Sequence, residues 1–406
     1  MCNNFVISAV ICELNPPHKG HISIIEQCKA KTGGYCIAVM SGNYVQRGQP
    51  AVFDKWTRTR AILRGGADLV IELPLPYAMG SAERFAFGGI SLLSQLGCVD
   101  ELWFGSEWGE IQKLQEIAHV LEQKDFSETL RKHQGLQAGL PFAKIRQLAL
   151  AEHLGEDTAA LLSEPNNILG VSYCQLLERL ESSIQPRTIR RLGAGYHEAE
   201  LQEHQTFPSA TQLRHLLAES PSCDLSPYLP EQCAAVLQTA LDAGLAPVLP
   251  EGLEMAVLAK LRTLSMEALQ NLPDISEGLE QRLYHAIRQS RSLEELYNTV
   301  KTKRYALSRI RRLVWSAFLG ITKADSLQPV PYCRVLGMRK ESAPLLSHLT
   351  KNASLPVLTR PGKSDSLSSF GQRLLQLEQQ STDLYALACP KIQSCGWEFT
   401  QRFVTE

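Results

Sequence analysis

Two histidines three residues apart, His18 and His21, follow Asn15-Pro16-Pro17 directly, with Gly20 between them. Imidazoles at that spacing lie roughly on one face of a helix. Both can then hydrogen-bond a phosphate, or the charge that develops on a pentavalent phosphorus. The first turn of a helix carries unpaired N–H groups and a partial positive charge, so it attracts phosphate. Gly20 removes a side chain where a nucleotide has to approach the backbone. The plain alternative is a pair of exposed histidines capping a helix. A metal site is not expected, because no third ligand lies at a suggestive spacing and Cys12 belongs to the preceding apolar run.

Two further groups carry chemistry. Ser209, Thr211 and Arg214 mark a later helix start. Their hydroxyls, the free N–H groups and the guanidinium suit the β- and γ-phosphates of a nucleotide, although an ordinary N-cap with a surface arginine has the same letters. From Arg282 to Arg312 there are nine Lys/Arg against two Glu. Lys301, Lys303, Arg304, Arg309, Arg311 and Arg312 form the dense end, with Tyr305 interleaved. Cations with an aromatic suit a sugar–phosphate backbone; a solvated face is the alternative.

The elements that must position these groups are legible by pattern. Phe5 to Ile11 is a short apolar run suited to a buried strand. Prolines 16 and 17 stop it, and a helix runs to about Ala30. Tyr35–Met40, Asp68–Leu73, Glu101–Glu107 and a run from Pro186 predict four more strands, separated by helices over 54–63 and 81–96. That alternation predicts a parallel sheet with right-handed crossovers, in which ligands sit beyond the carboxyl ends of strands. Asn15 and His18, Ser41-Gly42-Asn43, Glu72 and Gly105-Ser106-Glu107 stand at such ends, and Asn167 at a helix entrance. Residues 110–165 read as a helical insertion. Beyond about 220, where Ser220-Pro221 and Ser226-Pro227 punctuate the chain, the pattern is mainly helical.

A chain of 406 residues predicts two or three domains: here 1–220 as the catalytic domain and 221–406 as a second region. The net charge is −1, so any nucleic-acid surface has to be local. No apolar run approaches the roughly 20 residues of a membrane span. Eleven cysteines without a Cys-x-x-Cys pair suit reduced thiols in the cytoplasm, and Met-Cys-Asn-Asn-Phe does not read as a secretory leader. Neither a Walker A sequence nor Gly-x-Gly-x-x-Gly is present.

His-x-Gly-His at a first strand–helix junction is similar to the signature of the nucleotidyltransferase superfamily, which also contains class I aminoacyl-tRNA synthetases. The assembled motifs closely resemble the bacterial tRNA(Met) cytidine acetate ligase family. The match rests on Glu13 to His21, Ala38 to Gly48, Asp68 to Pro74, Phe104 to Glu107, Pro165 to Gly170 and the stretch from Ser209. It continues through Ile275 to Glu280, Lys301 to Tyr305 and Arg334 to Gly337. Pro17 stands where an aromatic is expected, and Pro208 where a small residue is usual.

The resemblance implies an α/β, nucleotidyltransferase-like (Rossmann-like) domain followed by a mainly helical RNA-binding part. It implies that acetate attacks the α-phosphate of ATP, giving acetyl-adenylate, and that the wobble cytidine of elongator tRNA(Met) takes the acetyl group on N4. Mg2+ accompanies the ATP. His18 and His21 would be catalytic. Nucleotide contacts would come from Ile11, Glu13, Leu14, Asn15, Pro16, His18, Gly20, His21 and Ile24, and from Gly105, Asn167, Arg191 and Leu192. No membrane or stable protein partner is implied. Two alternatives stand beside this reading: an adenylyltransferase acting on a small metabolite, and a non-catalytic RNA-binding protein on the same fold.

Overall fold

Apolar runs rich in Val, Ile and Leu build the middle of a sheet that is buried on both faces. The computed structural model describes residues 5–136, 140, 142–191, 209–276, 278–303, 305–362 and 364–406. Its strands are β1 (Ile7–Cys12), β2 (Tyr35–Ser41), β3 (Tyr44–Val45), β4 (Gln49–Pro50), β5 (Leu69–Leu73), β6 (Glu101–Ser106), β7 (Gln185–Arg190), β8 (Cys333–Met338), β9 (Val357–Leu358) and β10 (Val404–Thr405). Eight of them form one sheet in the order β10-β8-β5-β2-β1-β6-β7, with β9 beside β8, while β3 and β4 pair as a separate hairpin.

β1, β2, β5, β6 and β7 run parallel, as the alternation of strands and helices requires. The order reverses beside β1, which lies between β2 and β6, so the carboxyl ends of β1 and β6 flank the crevice where such sheets bind ligands. The helices expected over 54–63 and 81–96 form at Lys55–Arg64 and Ala82–Leu96. Asp54 and Ser81 cap them through side-chain oxygens, and Gly97 ends the second in the left-handed conformation at φ 65°.

The sheet is mixed rather than wholly parallel, because β8 adds to β5 antiparallel. Arg334 interrupts the apolar pattern of β8, which hides it from a periodicity reading. The strands beyond residue 330 thus rejoin the amino-terminal core. The insertion folds as helices Ile111–Glu122, Lys124–Leu136, Phe142–Leu154 and Glu156–Ala160. Among the described residues no helix is long and apolar enough to cross a membrane.

Candidate active site

The β1 strand delivers the chain to a loop whose shape is fixed by buried polar contacts. Arg58, fully buried, donates to the carbonyls of Glu13 (2.7 Å), Ser41 (3.0 Å), Phe53 (2.9 Å) and Gly42. Asn15 Oδ1 accepts the Val52 N–H at 2.8 Å. Between these anchors Leu14 sits at φ 52°, a left-handed conformation that costs a leucine about 1–3 kcal/mol. Its side chain is buried in the core. Strain held by contacts on both sides marks this loop as one whose conformation matters.

After the loop, His18 caps the helix Lys19–Thr32. Its Nδ1 accepts the Gly20 N–H at 3.1 Å, and the His18 N–H donates to His21 Nδ1 at 3.3 Å. A neutral imidazole that accepts at Nδ1 carries its proton on Nε2. Both rings therefore present an Nε2–H, with ring centroids 3.8 Å apart, and no hydrogen bond within the described residues engages either Nε2. Burial, then Arg191 and Arg214, pushes the His18 pKa down to about 4. Burial, His18 and Arg191 hold His21 well below its ordinary value. Both rings are neutral donors at pH 7. Gly20 has an internal reason as well: a Cβ there would lie 2.9 Å from His18 Cε1, so the glycine makes room for the capping ring.

Guanidinium groups flank the rings. Arg214 donates to the Asn15 carbonyl at 2.7 Å and to Thr211 Oγ1 at 2.8 Å, which brings the helix Ala210–Glu219 onto the β1 loop. Ser209 caps that helix reciprocally with Gln212. Across the crevice, the Arg191 N–H bonds the Ser106 carbonyl, and its side chain lies over Gly105, where a Cβ would meet Arg191 Cγ at 3.0 Å and Ile24 Cδ1 at 3.5 Å. Ile11 and Ile24 remain partly exposed beside it. Leu192 and Arg304 lie outside the described residues.

Asn167 occupies the first turn of helix Pro165–Arg179, and its amide is engaged on both sides. Its Oδ1 accepts from Trp108 N at 3.1 Å, and its Nδ2 donates to Leu161 O at 3.2 Å. The Glu107 carboxylate takes the Asn166 and Asn167 N–H groups. That helix end is thus satisfied from within, and Asn167 shapes the 105–108 loop from below.

Two strand ends expected at the site are closed to it. Glu72 and Asn43 are buried in a network around Lys55, whose Nζ lies 2.6 Å from Glu72 and 2.7 Å from Glu398. Glu378 stands 4.0 Å away, and Arg334 pairs with Glu398 at 3.3 Å. The reason is β8 and the helix Ser369–Ala386, which cover that end of the sheet. Burial and then Glu72 push the Glu378 carboxyl well above the usual carboxylate range. Arg58 and Lys55 were not singled out from sequence. The signal was there: residues 55, 58, 59 and 62 share one helical face, and cations on the face that carries Ile62 need buried partners.

The basic segment divides. Arg309 bonds the Asp274 carbonyl and Ser276, and Arg312 pairs with the Asp274 carboxylate at 3.3 Å. Arg311 lies over the Tyr297 ring, 5.6 Å from its centroid. Lys301 and Lys303 are exposed. Arg309 and Arg312 are thus turned inward rather than out to a phosphate backbone, because Asp274 draws them.

The profile of the HIGH nucleotidyl transferases matches residues 6–397. A tRNA(Met) cytidine acetate ligase of Caldanaerobacter subterraneus is 37% identical over 93% of this chain and 94% of its own. Its namesake in Acetivibrio thermocellus is 34% identical over 98% and 99%. The crystal structure of Thermotoga maritima TmcAL bound with alpha-thio ATP superposes with a TM-score of 0.91, at 31% identity over 99% of both chains. The apo form of that protein gives 0.92.

Proposed function

Since this chain belongs to the HIGH nucleotidyl transferases, and within them to the tRNA(Met) cytidine acetate ligases, it is a ligase, and we propose that it joins acetate to the wobble cytidine of elongator tRNA(Met) at the expense of ATP. The observation that carries the reading is the pair of neutral imidazoles whose Nδ1 atoms are held by backbone N–H groups. Two fixed Nε2–H donors at a helix amino terminus match a site of growing negative charge on phosphorus.

In the first step a carboxylate oxygen of acetate attacks the α-phosphorus of ATP, supplied as its Mg2+ complex. The bond to the bridging oxygen breaks, and pyrophosphate leaves. His18 and His21 donate to the phosphoryl oxygens as charge builds there. Arg214, with Ser209 and Thr211, takes the β- and γ-phosphates. The nucleoside lies over Gly105 between Ile11, Ile24 and Arg191, on the loop that Asn167 supports. Glu13, Leu14, Asn15, Pro16 and Gly20 set the backbone against which the triphosphate rests.

In the second step the N4 amine of cytidine attacks the acetyl carbon, and the carbon–oxygen bond to AMP breaks. Residues 1–220 carry the chemistry, and 221–406 hold the RNA through Lys301, Lys303, Arg304 and Arg311, with Arg309 and Arg312 bracing that surface. These substrates place the reaction in the cytoplasm. Incubation of the full chain with labelled acetate, ATP and total bacterial tRNA tests the reading. Label in tRNA that depends on both ATP and acetate is expected. AMP attached to a metabolite instead, or no turnover at all, overturns it.

A further inference from the structure

One stretch matched in the sequence, Val45-Gln46-Arg47-Gly48, has no part in the chemistry above. It forms the turn between β3 and β4, closed by the Gly48 N–H on the Val45 carbonyl at 2.9 Å, with Gly48 at φ 70°. Glycine is needed for that conformation and for a close approach. A Cβ on Gly48 would lie 2.5 Å from Arg312 N and 2.7 Å from Arg311 C. The turn is therefore pressed on the backbone of helix Leu307–Leu319 at its cationic end. Tyr44 and Val45 below it are fully buried, with Tyr44 against Trp315.

Arg47 stands apart from all this packing. It is the one exposed residue between Tyr35 and Thr59. No hydrogen bond or ion pair engages it among the described residues, whereas Arg309 and Arg312 nearby are held by the 274–276 segment. The exit of the hairpin is tied to the nucleotide loop through Val52 N and Asn15 Oδ1. A rigid turn thus stands between the basic helix and the β1 loop and presents a guanidinium without a partner among the described residues.

We infer that the Gln46-Arg47-Gly48 turn is a contact for the RNA sugar–phosphate backbone, extending the cationic surface of helix Leu307–Leu319 toward the catalytic loop. The inference rests on the tRNA reading and adds to it a residue outside the basic segment. A guanidinium held on a fixed turn loses little freedom on meeting a phosphate, and Arg binds phosphate in bidentate fashion. The hairpin that carries Arg47 touches the basic helix at Gly48 and the nucleotide loop at Val52, so a phosphate held there lies on the element that joins the two.

The experiment measures binding of elongator tRNA(Met) to the full chain between 50 and 200 mM salt. Native protein is compared with Arg47→Gln, which keeps the polar side chain and removes the charge, and with Arg47→Lys. One lost phosphate contact flattens the plot of log affinity against log salt by about 0.7–0.9, so the affinity deficit of Arg47→Gln shrinks about threefold across this range. Arg47→Lys should restore the slope. A merely structural role would move the thermal midpoint and leave the slope alone. Arg47→Gln binding with the native affinity and slope overturns the inference and leaves the tRNA reading intact. Failure of the native chain to bind this tRNA at any salt removes both.

Discussion

The backbone N–H of His18 donates to Nδ1 of His21 across 3.3 Å, and this bond decides which nitrogen of His21 faces outward. Together with the Gly20 N–H on His18 Nδ1, it makes each ring part of the helix cap and leaves Nε2–H as the working edge. Cap and catalyst are separable, because they use different nitrogens.

His21→Asn keeps an acceptor near the position of Nδ1 and removes the outer donor, whereas His21→Gln can place an amide N–H near the position of Nε2. Loss of one oriented donor to a developing oxyanion costs about 10²–10³ in rate. His21→Asn should therefore slow acetyl-adenylate formation by that factor with its thermal midpoint retained, and His21→Gln should slow it less. Pyrophosphate release from ATP and acetate, measured for each variant, checks the order. Native turnover in His21→Asn would remove the histidine from the chemistry.

The lowered histidine pKa values fix a pH dependence. His18 falls from 6.5 to about 4, chiefly through burial and then through Arg191 and Arg214. Between those values the unfolded chain binds a proton that the folded chain refuses. Stability therefore declines as pH drops from 6.5 through about 4, by about 3 kcal/mol for this group at about 1.36 kcal/mol per unit. Adenylate formation should show no titration step near 6.5. Urea unfolding at pH 7 and at pH 4.5, with His18→Asn for comparison, measures the first effect. A rate profile with a midpoint at 6.5 would contradict the neutral-donor arrangement.

The catalytic loop and the parallel strands were legible because they depend on local rules: β-branched runs, prolines that end them, and small or polar residues at strand ends. The opening strand, four later strands and their helices fall within a few residues of the pattern reading. What escaped it depends on partners distant in sequence. β8 joins β5 across more than 260 residues of chain, and Arg334 within it shows why only once Glu398 is beside it. Glu72 and Asn43 look like ligand groups until Lys55, Thr382 and Glu398 close over them. A Cβ on Gly20 would press on the His18 ring and one on Gly105 on the Arg191 side chain, contacts that the letters alone do not show.

The buried network makes its own test. Lys55 faces Glu72 and Glu398, and removal of the cation leaves both carboxylates without it. Breaking such a group costs about 3–5 kcal/mol, so Lys55→Met should lower stability by that amount. Glu378→Gln mimics the protonated acid and should cost far less. Its carboxyl is raised in the folded state, so its contribution is complete below the ordinary value of 4.5 and drains as pH rises through the folded value. Glu378→Gln should therefore flatten the loss of stability toward alkaline pH. Chemical denaturation at pH 5 and pH 9 reads both effects; equal losses in the two variants would mean that Glu378 is ionised.

The division within the basic segment gives the last prediction. Lys301 and Lys303 are exposed, while Arg312 pairs with Asp274 and is mostly covered. If the outward lysines meet tRNA phosphates, the pair Lys301→Ala and Lys303→Ala flattens the salt dependence of binding by about 1.4–1.8, twice the value for one contact. Their thermal midpoint should stay native, because exposed cations of this kind contribute little to stability. Arg312→Ala should behave in the opposite way. It leaves Asp274, at φ 59°, without its guanidinium, loosens the 274–276 segment that Arg309 also holds, and lowers the midpoint with the salt slope unchanged. Binding at four salt concentrations, beside thermal unfolding of the same samples, separates the two roles. A flattened slope for Arg312→Ala would show that the guanidinium leaves Asp274 for phosphate when RNA arrives, and an unchanged slope for the lysine pair would move the docking surface elsewhere.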